Sequence, residues 1–134
     1  MHLTGQCNCK GVTYTFDGEP ELAGFCHCKA CQRQAGGAGS FFLLVDEAGL
    51  EIKGDTLKKY VTVADSGVDV NRFFCGTCGS PIASRAISFP GKAFLKAGTL
   101  DDSSQITPTV EVWCEEALSW MPEVKGAPRY SKAP

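Results

Sequence analysis

The sequence contains no long apolar stretch: its longest uninterrupted run, Phe41 to Val45, is five residues, against the roughly 20 that a membrane-crossing helix needs. No membrane association is expected. The first ten residues, MHLTGQCNCK, lack a basic segment followed by an apolar one, so no secretory signal is read there and the expected compartment is the cytoplasm. Charge excess is also missing. With 13 Lys and Arg against 15 Asp and Glu, the formal charge is −2, which gives no overall attraction to a phosphate backbone, and nucleic acid is not an expected partner. The composition, 43% hydrophobic and 21% charged, excludes a disordered chain. There is no repeat, no low-complexity tract and no linker long enough to separate two domains. Residues 1–134 are therefore read as one domain, large enough to bury a core.

What charge there is lies unevenly. In the 24 residues from Leu22 to Val45 the only charged side chains are Lys29 and Arg33, whereas the segment from Asp101 to Glu123 carries Asp101, Asp102, Glu111, Glu115, Glu116 and Glu123 with no Lys or Arg. The acidic segment is read as a solvated face.

The eight cysteines are the strongest signal, through spacing more than number. Seven fall into three groups: Cys7 and Cys9 as CxC, Cys26, Cys28 and Cys31 as CxCxxC, and Cys75 and Cys78 as CxxC. Disulfide geometry gives no reason to cluster thiols two and three residues apart. Metal ligation does, because Zn²⁺ needs several thiolate sulfurs about 2.3 Å from one point. The CxxC is flanked by Gly76 and Gly79, which suit a tight metal-binding turn. A redox CxxC would open a helix after a strand, and no such alternation follows Cys78. Seven sulfurs divide as four plus three. The simplest closed site joins Cys7, Cys9, Cys75 and Cys78, leaving Cys26, Cys28 and Cys31 as a three-ligand site with an open position. The spacing also allows CxC to combine with part of CxCxxC.

Short runs rich in Val, Tyr, Phe and Thr between Gly, Pro and Asp predict strands over 11–16, 22–26, 40–45, 50–53, 57–63, 70–74, 82–86, 93–97 and 109–113. One helical turn is expected over Cys31 to Ala35, stopped by Gly36, Gly37 and Gly39. The tail 125–134 reads as surface loop.

The segments GQCNCKGVTY, CHCKACQRQAGG and FFCGTCGSPI resemble the three motifs of the glutathione-dependent formaldehyde-activating enzyme (GFA) family, and the likeness runs from Gly5 to about Trp120. It implies a mainly β, Mss4-like fold of small antiparallel sheets built around two zinc sites. By motif, Cys7, Cys9, Cys75 and Cys78 match the structural zinc site, and Cys26, Cys28 and Cys31 the catalytic one. The implied reaction joins formaldehyde and glutathione into S-(hydroxymethyl)glutathione, a carbon–sulfur lyase reaction run in reverse. Lys10 stands where the family often has glycine, and the chain is shorter than the family's namesake.

Three thiolates leave a zinc centre at −1, better suited to binding a substrate thiol as thiolate than to activating water. The expected partner is thus a small thiol such as glutathione. The alternative is a zinc-stabilised β binding module without catalysis, which a fourth protein ligand at the CxCxxC site would favour. Around that site, Lys29 and Arg33 are candidates to attract a ligand carboxylate, though ordinary surface charge is the simpler reading. His27 is expected to point away from the metal, with a proton relay as the alternative. Phe41, Phe42, Trp113 and Trp120 read as packing residues and Cys114 as a buried free thiol. The oligomeric state is not legible.

Overall fold

The structure is a computed structural model that describes residues 1–63, 67–104 and 106–133. In chain order it contains β1 (His2–Gln6), β2 (Thr13–Asp17), β3 (Leu22–Cys26), α1 (Lys29–Ala35), β4 (Ser40–Asp46), β5 (Leu50–Lys53), β6 (Leu57–Val63), β7 (Asp69–Cys75), β8 (Pro81–Ala86), β9 (Lys92–Lys96) and β10 (Val110–Val112). The expected mainly β chain with one short helix is found, and each of the nine anticipated strands is present. β1 is additional. Its sequence, HLTGQ, has one large apolar residue and no clear alternation.

The strands form two sheets. The smaller has the order β1-β2-β5 and the larger β10-β3-β4-β9-β8-β7-β6. All pairs are antiparallel except β10 with β3. Side chains alternate between faces along a strand, and the register assigns each face of the large sheet a task. On one face Leu43 lies opposite Leu95, and Leu95 opposite Ala83. These residues, with Val45, Ala93 and Ala97, bury against Val12, Tyr14 and Phe16 of the small sheet side to form the core. Each large apolar side chain so buried contributes roughly 1.5–3 kcal/mol. On the opposite face Phe42 lies opposite Lys96, Leu44 opposite Phe94, Phe94 opposite Ser84 and Ser84 opposite Arg72. That second face carries the candidate site.

The sheets meet closely at Gly5, which pairs with Tyr14 and bridges to Leu100. A Cβ here would overlap the Tyr14 ring and sit 2.6 Å from the Thr99 carbonyl oxygen. Tyr14 cannot easily yield, because it is buried and its hydroxyl is 2.7 Å from Thr99 Oγ1. Gly5→Ala is expected to cost about 1–3 kcal/mol through overpacking, read as a lower urea midpoint. Gly37→Ala, with nothing near its Cβ, should change that midpoint little.

From Lys125 onward the chain is irregular but attached: Glu111 N–H donates to Pro128 O, Tyr130 N–H to Glu111 O and Trp113 N–H to Lys132 O. No helix is long and apolar enough to cross a membrane among the described residues.

Candidate functional site

Two turns bring the four-cysteine cluster together. After β1, Cys7 N–H donates to Val12 O and Lys10 N–H to Cys7 O, folding CxC back on itself. Lys10 sits at φ 67°, in the left-handed region that glycine occupies without steric cost. After β7, Gly79 N–H donates to Cys75 O, with Gly79 at φ 81°, and Cys75 N–H donates to Ser80 O. The sulfurs of Cys7, Cys9, Cys75 and Cys78 then lie within 4.8 Å of one another. Cys7 to Cys9 is 3.6 Å and Cys9 to Cys75 is 3.7 Å. Four sulfurs around one zinc at about 2.3 Å would stand roughly 3.8 Å apart. A disulfide would place two at about 2.05 Å, and all eight cysteines are free.

The surroundings favour negative sulfur. Val12 N–H donates to Cys7 Sγ at 3.2 Å, Thr77 N–H to Cys75 Sγ at 3.4 Å, and the hydroxyls of Thr56 and Ser80 lie 3.3 Å from the sulfurs of Cys75 and Cys78. The Ser80 hydroxyl and amide lower Cys78 to about 5, and the Thr56 hydroxyl leads in lowering Cys75 to about 7. At Cys9 the Gly11 amide pulls the other way, yet crowding by the Cys7 and Cys75 sulfurs raises the thiol to about 11.

Cys26, Cys28 and Cys31 form the second cluster, their sulfurs also within 4.8 Å. β3 delivers Cys26. Cys28 is the N-cap of α1, its sulfur accepting from Cys31 N–H at 3.3 Å, and Gly36 at φ 65° closes the helix. The sulfurs share protons: hydrogen bonds from Cys26 and Cys28 lower Cys31 to about 2, helped by the charges of Lys96 and Arg72, while Cys26 is raised. The grouping is therefore CxC with CxxC, and CxCxxC alone.

His27, between two of these cysteines, is fully buried, with Nε2 2.8 Å from Glu111 Oε1. Glu111 Oε2 accepts from Arg129 Nη1 at 2.6 Å and from Val124 N–H at 3.0 Å. Burial alone would raise the Glu111 carboxyl, but these donors hold it below the ordinary carboxylate range. Gln32 adds a second tie, donating from Nε2 to the carbonyls of His27 and Glu116. The cysteine loop is thus anchored to the C-terminal segment. Glu111 corrects the reading of its acidic segment as solvated: Asp101, Asp102, Glu115, Glu116 and Glu123 are exposed, but Glu111 is not.

A cavity of about 310 Å³ adjoins the three-cysteine cluster, with Cys26 and Cys31 in its wall. Leu22, Phe42, Phe94, Val110, Val112 and Trp113 supply much of the apolar lining. Ser40, Arg72, Ser84 and Lys96 supply polar side chains to the lining, and the charges of Lys96 and Arg72 act on Cys31. Lys96 is buried and donates to Ser40 Oγ at 2.8 Å. Burial lowers its pKa while the Cys31 charge works against that. Arg72 Nη1 donates to Gln34 Oε1 at 2.7 Å. Ser84 Oγ is buried without a hydrogen-bond partner among the described residues.

The cations beside the sulfurs are therefore Arg72 and Lys96, from β7 and β9, while Lys29 and Arg33 are exposed and outside the cavity lining. Phe42 is buried as expected and also lines the cavity, Phe41 packs against the core, and Trp113 forms cavity wall, which corrects its reading as simple packing. Trp120 is 70% exposed and packs little. Cys114 is free and only half-buried. Trp113 has φ 57°, a conformation that is costly for a bulky residue.

No curated protein matches the chain significantly. A crystal structure of a Rhodobacter sphaeroides protein from a structural-genomics effort is similar in fold, with a TM-score of 0.56 at 18% identity, covering 94% of this chain and 98% of that one. The family model described as glutathione-dependent formaldehyde-activating enzyme matches residues 2–116. That match spans all seven clustered cysteines and both turns that gather them, and the chain belongs to the glutathione-dependent formaldehyde-activating enzyme family.

Proposed function

We propose that the chain is a zinc-dependent, cytoplasmic enzyme of carbon–sulfur lyase type, acting on glutathione or a related small thiol adduct in the manner of an S-(hydroxymethyl)glutathione synthase. Cys7, Cys9, Cys75 and Cys78 would hold a structural zinc, and Cys26, Cys28 and Cys31 a catalytic one. The observation that carries this reading is a cluster of three sulfurs beside a cavity, separate from a cluster of four. Donor set and spacing fit zinc, which prefers four thiolates in closed sites and three protein ligands where substrate enters. A binding module would instead need a closed second site, and the described residues group only three ligands there.

Zinc bound by three thiolates supplies a position where a thiol is held deprotonated or a carbonyl oxygen is polarised. In the forward direction the thiol sulfur forms a bond to the carbonyl carbon, the carbonyl π pair moves to oxygen, and that oxygen takes up the proton the thiol has lost. The chain's own groups assist the charge shift. Lys96 and Arg72 place positive charge beside the sulfurs, and Ser84 offers a hydroxyl with no other partner. In a cavity with mostly apolar walls such donors act more strongly than in water.

Two zinc ions per chain are expected from elemental analysis of protein purified without chelator. In cobalt-substituted protein, glutathione or another small thiol should change the sulfur-to-metal charge-transfer band, and the full protein should speed formaldehyde exchange with the thiol above the rate in buffer. An unchanged band and an uncatalysed rate, with all small thiols tried, would overturn the enzymatic reading.

A further inference from the structure

The cavity has more wall than formaldehyde could use. Its volume, about 310 Å³, lies within the range of roughly 300–1,000 Å³ typical of sites for small organic ligands, yet formaldehyde has a single carbon and no apolar body. Leu22, Phe94, Val110 and Val112 supply apolar wall, against which polar groups without partners are costly and an apolar body is not.

The polar end of the cavity is equally specific. Among the described residues no carboxylate pairs with Lys96 or Arg72. Three thiolates on a divalent ion leave one negative charge, and the two side chains bring two positive ones, so a single positive charge stays unbalanced. Beside them the Ser84 hydroxyl, on a residue only 5% exposed, has no partner. Buried polar groups are almost always satisfied, and an unpartnered hydroxyl on a residue of the cavity lining suits a ligand atom.

We infer that the cavity takes a small ligand with one negatively charged head, carboxylate or thiolate, on an apolar aryl or branched-alkyl body, and that thiols of this kind are, among the small thiols proposed above, the preferred substrate class of the three-cysteine site. The head sits among Lys96, Arg72 and Ser84. The body fills the space between Phe42, Phe94 and Trp113. The ligand class rests on the cavity alone, and calling it a substrate rests on the catalytic reading above.

Trp113 gives a readout that does not depend on turnover. The metal-loaded full chain carrying Trp120→Phe, which removes the exposed second indole, would be titrated with 3-phenylpropanoate and followed by fluorescence. Saturable binding is expected, at least tenfold tighter than for 3-phenylpropan-1-ol, which keeps the body without the charge, and for propanoate, which keeps the charge without the body. Lys96→Met should abolish the preference for acid over alcohol. Ser84→Ala should weaken the acid several-fold with its melting temperature little changed. Titration of cobalt protein with 2-phenylethanethiol separates the two heads, since a thiolate moves the charge-transfer band and a carboxylate moves only the indole signal.

Equal binding of acid and alcohol would overturn the inference, because the cations would then serve only to balance the cysteine sulfurs. Displacement of 3-phenylpropanoate by glutathione at an equal or lower concentration would overturn the substrate class. If small thiols move the cobalt band while no aryl probe moves the Trp113 signal, this inference falls and the catalytic reading stands. Aryl probes that bind while no thiol moves the band would leave the ligand site without the catalysis.

Discussion

Cys78→Ser is expected to unfold much of the chain, while Cys28→Ser leaves it folded. The four-cysteine cluster joins the turn after β1, in the small sheet, to the turn between β7 and β8, in the large one. A metal held there fastens the two sheets from which the core is built. Structural zinc contributes apparent binding free energies of about 10–16 kcal/mol in small zinc peptides, comparable with a whole domain's stability of about 5–15 kcal/mol. Loss of even about 5 kcal/mol would lower the melting temperature of a chain this size by roughly 15–20 °C. Cys28 has a lesser structural part. Its sulfur caps the seven-residue α1, a contact worth about 1 kcal/mol, and the His27 and Gln32 anchors of that loop remain. Thermal melts of both variants with equal metal supply provide the comparison. Cys9→Ser, at an exposed member of the cluster, repeats the test should Cys78→Ser not accumulate as folded protein. Equal losses at the two clusters would show that the division into structural and open sites is wrong.

The cluster was legible in the sequence because metal chemistry is local: ligands two and three residues apart announce themselves without knowledge of the fold. Strand positions were legible for a similar reason, as short β-rich runs between turn residues need no partner to be recognised. The cavity was not, and FFLLV shows why. A strand covered on both faces is continuously apolar, so periodicity does not say that Leu43 and Val45 enter the core while Phe42 and Leu44 line the cavity. Lys96 was hidden by its type. A lysine in a strand gives no sign of burial, yet alternation with Phe94 places both on the cavity face. Ser84 and Arg72 belong to the same face through cross-strand register, which a single sequence does not carry. Glu111 was hidden by its neighbours, since five exposed acidic residues surround one that pairs with His27 across 84 positions.

That pairing should be the most consequential contact outside the cysteines. Glu111→Ala would strip an acceptor from three donors at once: the buried His27 ring, the Arg129 guanidinium and the Val124 amide. Leaving the buried His27 ring and the Val124 amide without their acceptor typically costs about 1–3 kcal/mol for each unsatisfied group. Melting should fall by about 10–15 °C, whereas Glu111→Gln, which keeps shape and one acceptor oxygen, should lose less. The pH dependence has a definite sign. The folded protein holds this carboxyl below its unfolded value, so its charge contributes fully above the ordinary Glu pKa of about 4.3 and the contribution fades as pH falls through the lower folded value. The stability gap between the parent chain and Glu111→Gln should therefore be constant from pH 7 to 5 and narrow only below about 4.3, as measured by urea unfolding at each pH. A gap that narrows between pH 7 and 5, or Glu111→Ala melting within 2 °C of the parent, would contradict a buried, ionised Glu111. The same melts bear on the site, because His27 lies between Cys26 and Cys28. A Glu111→Ala chain that stays folded should bind cobalt at the three-cysteine cluster more weakly, since ligand geometry there depends on an anchor outside the ligands themselves.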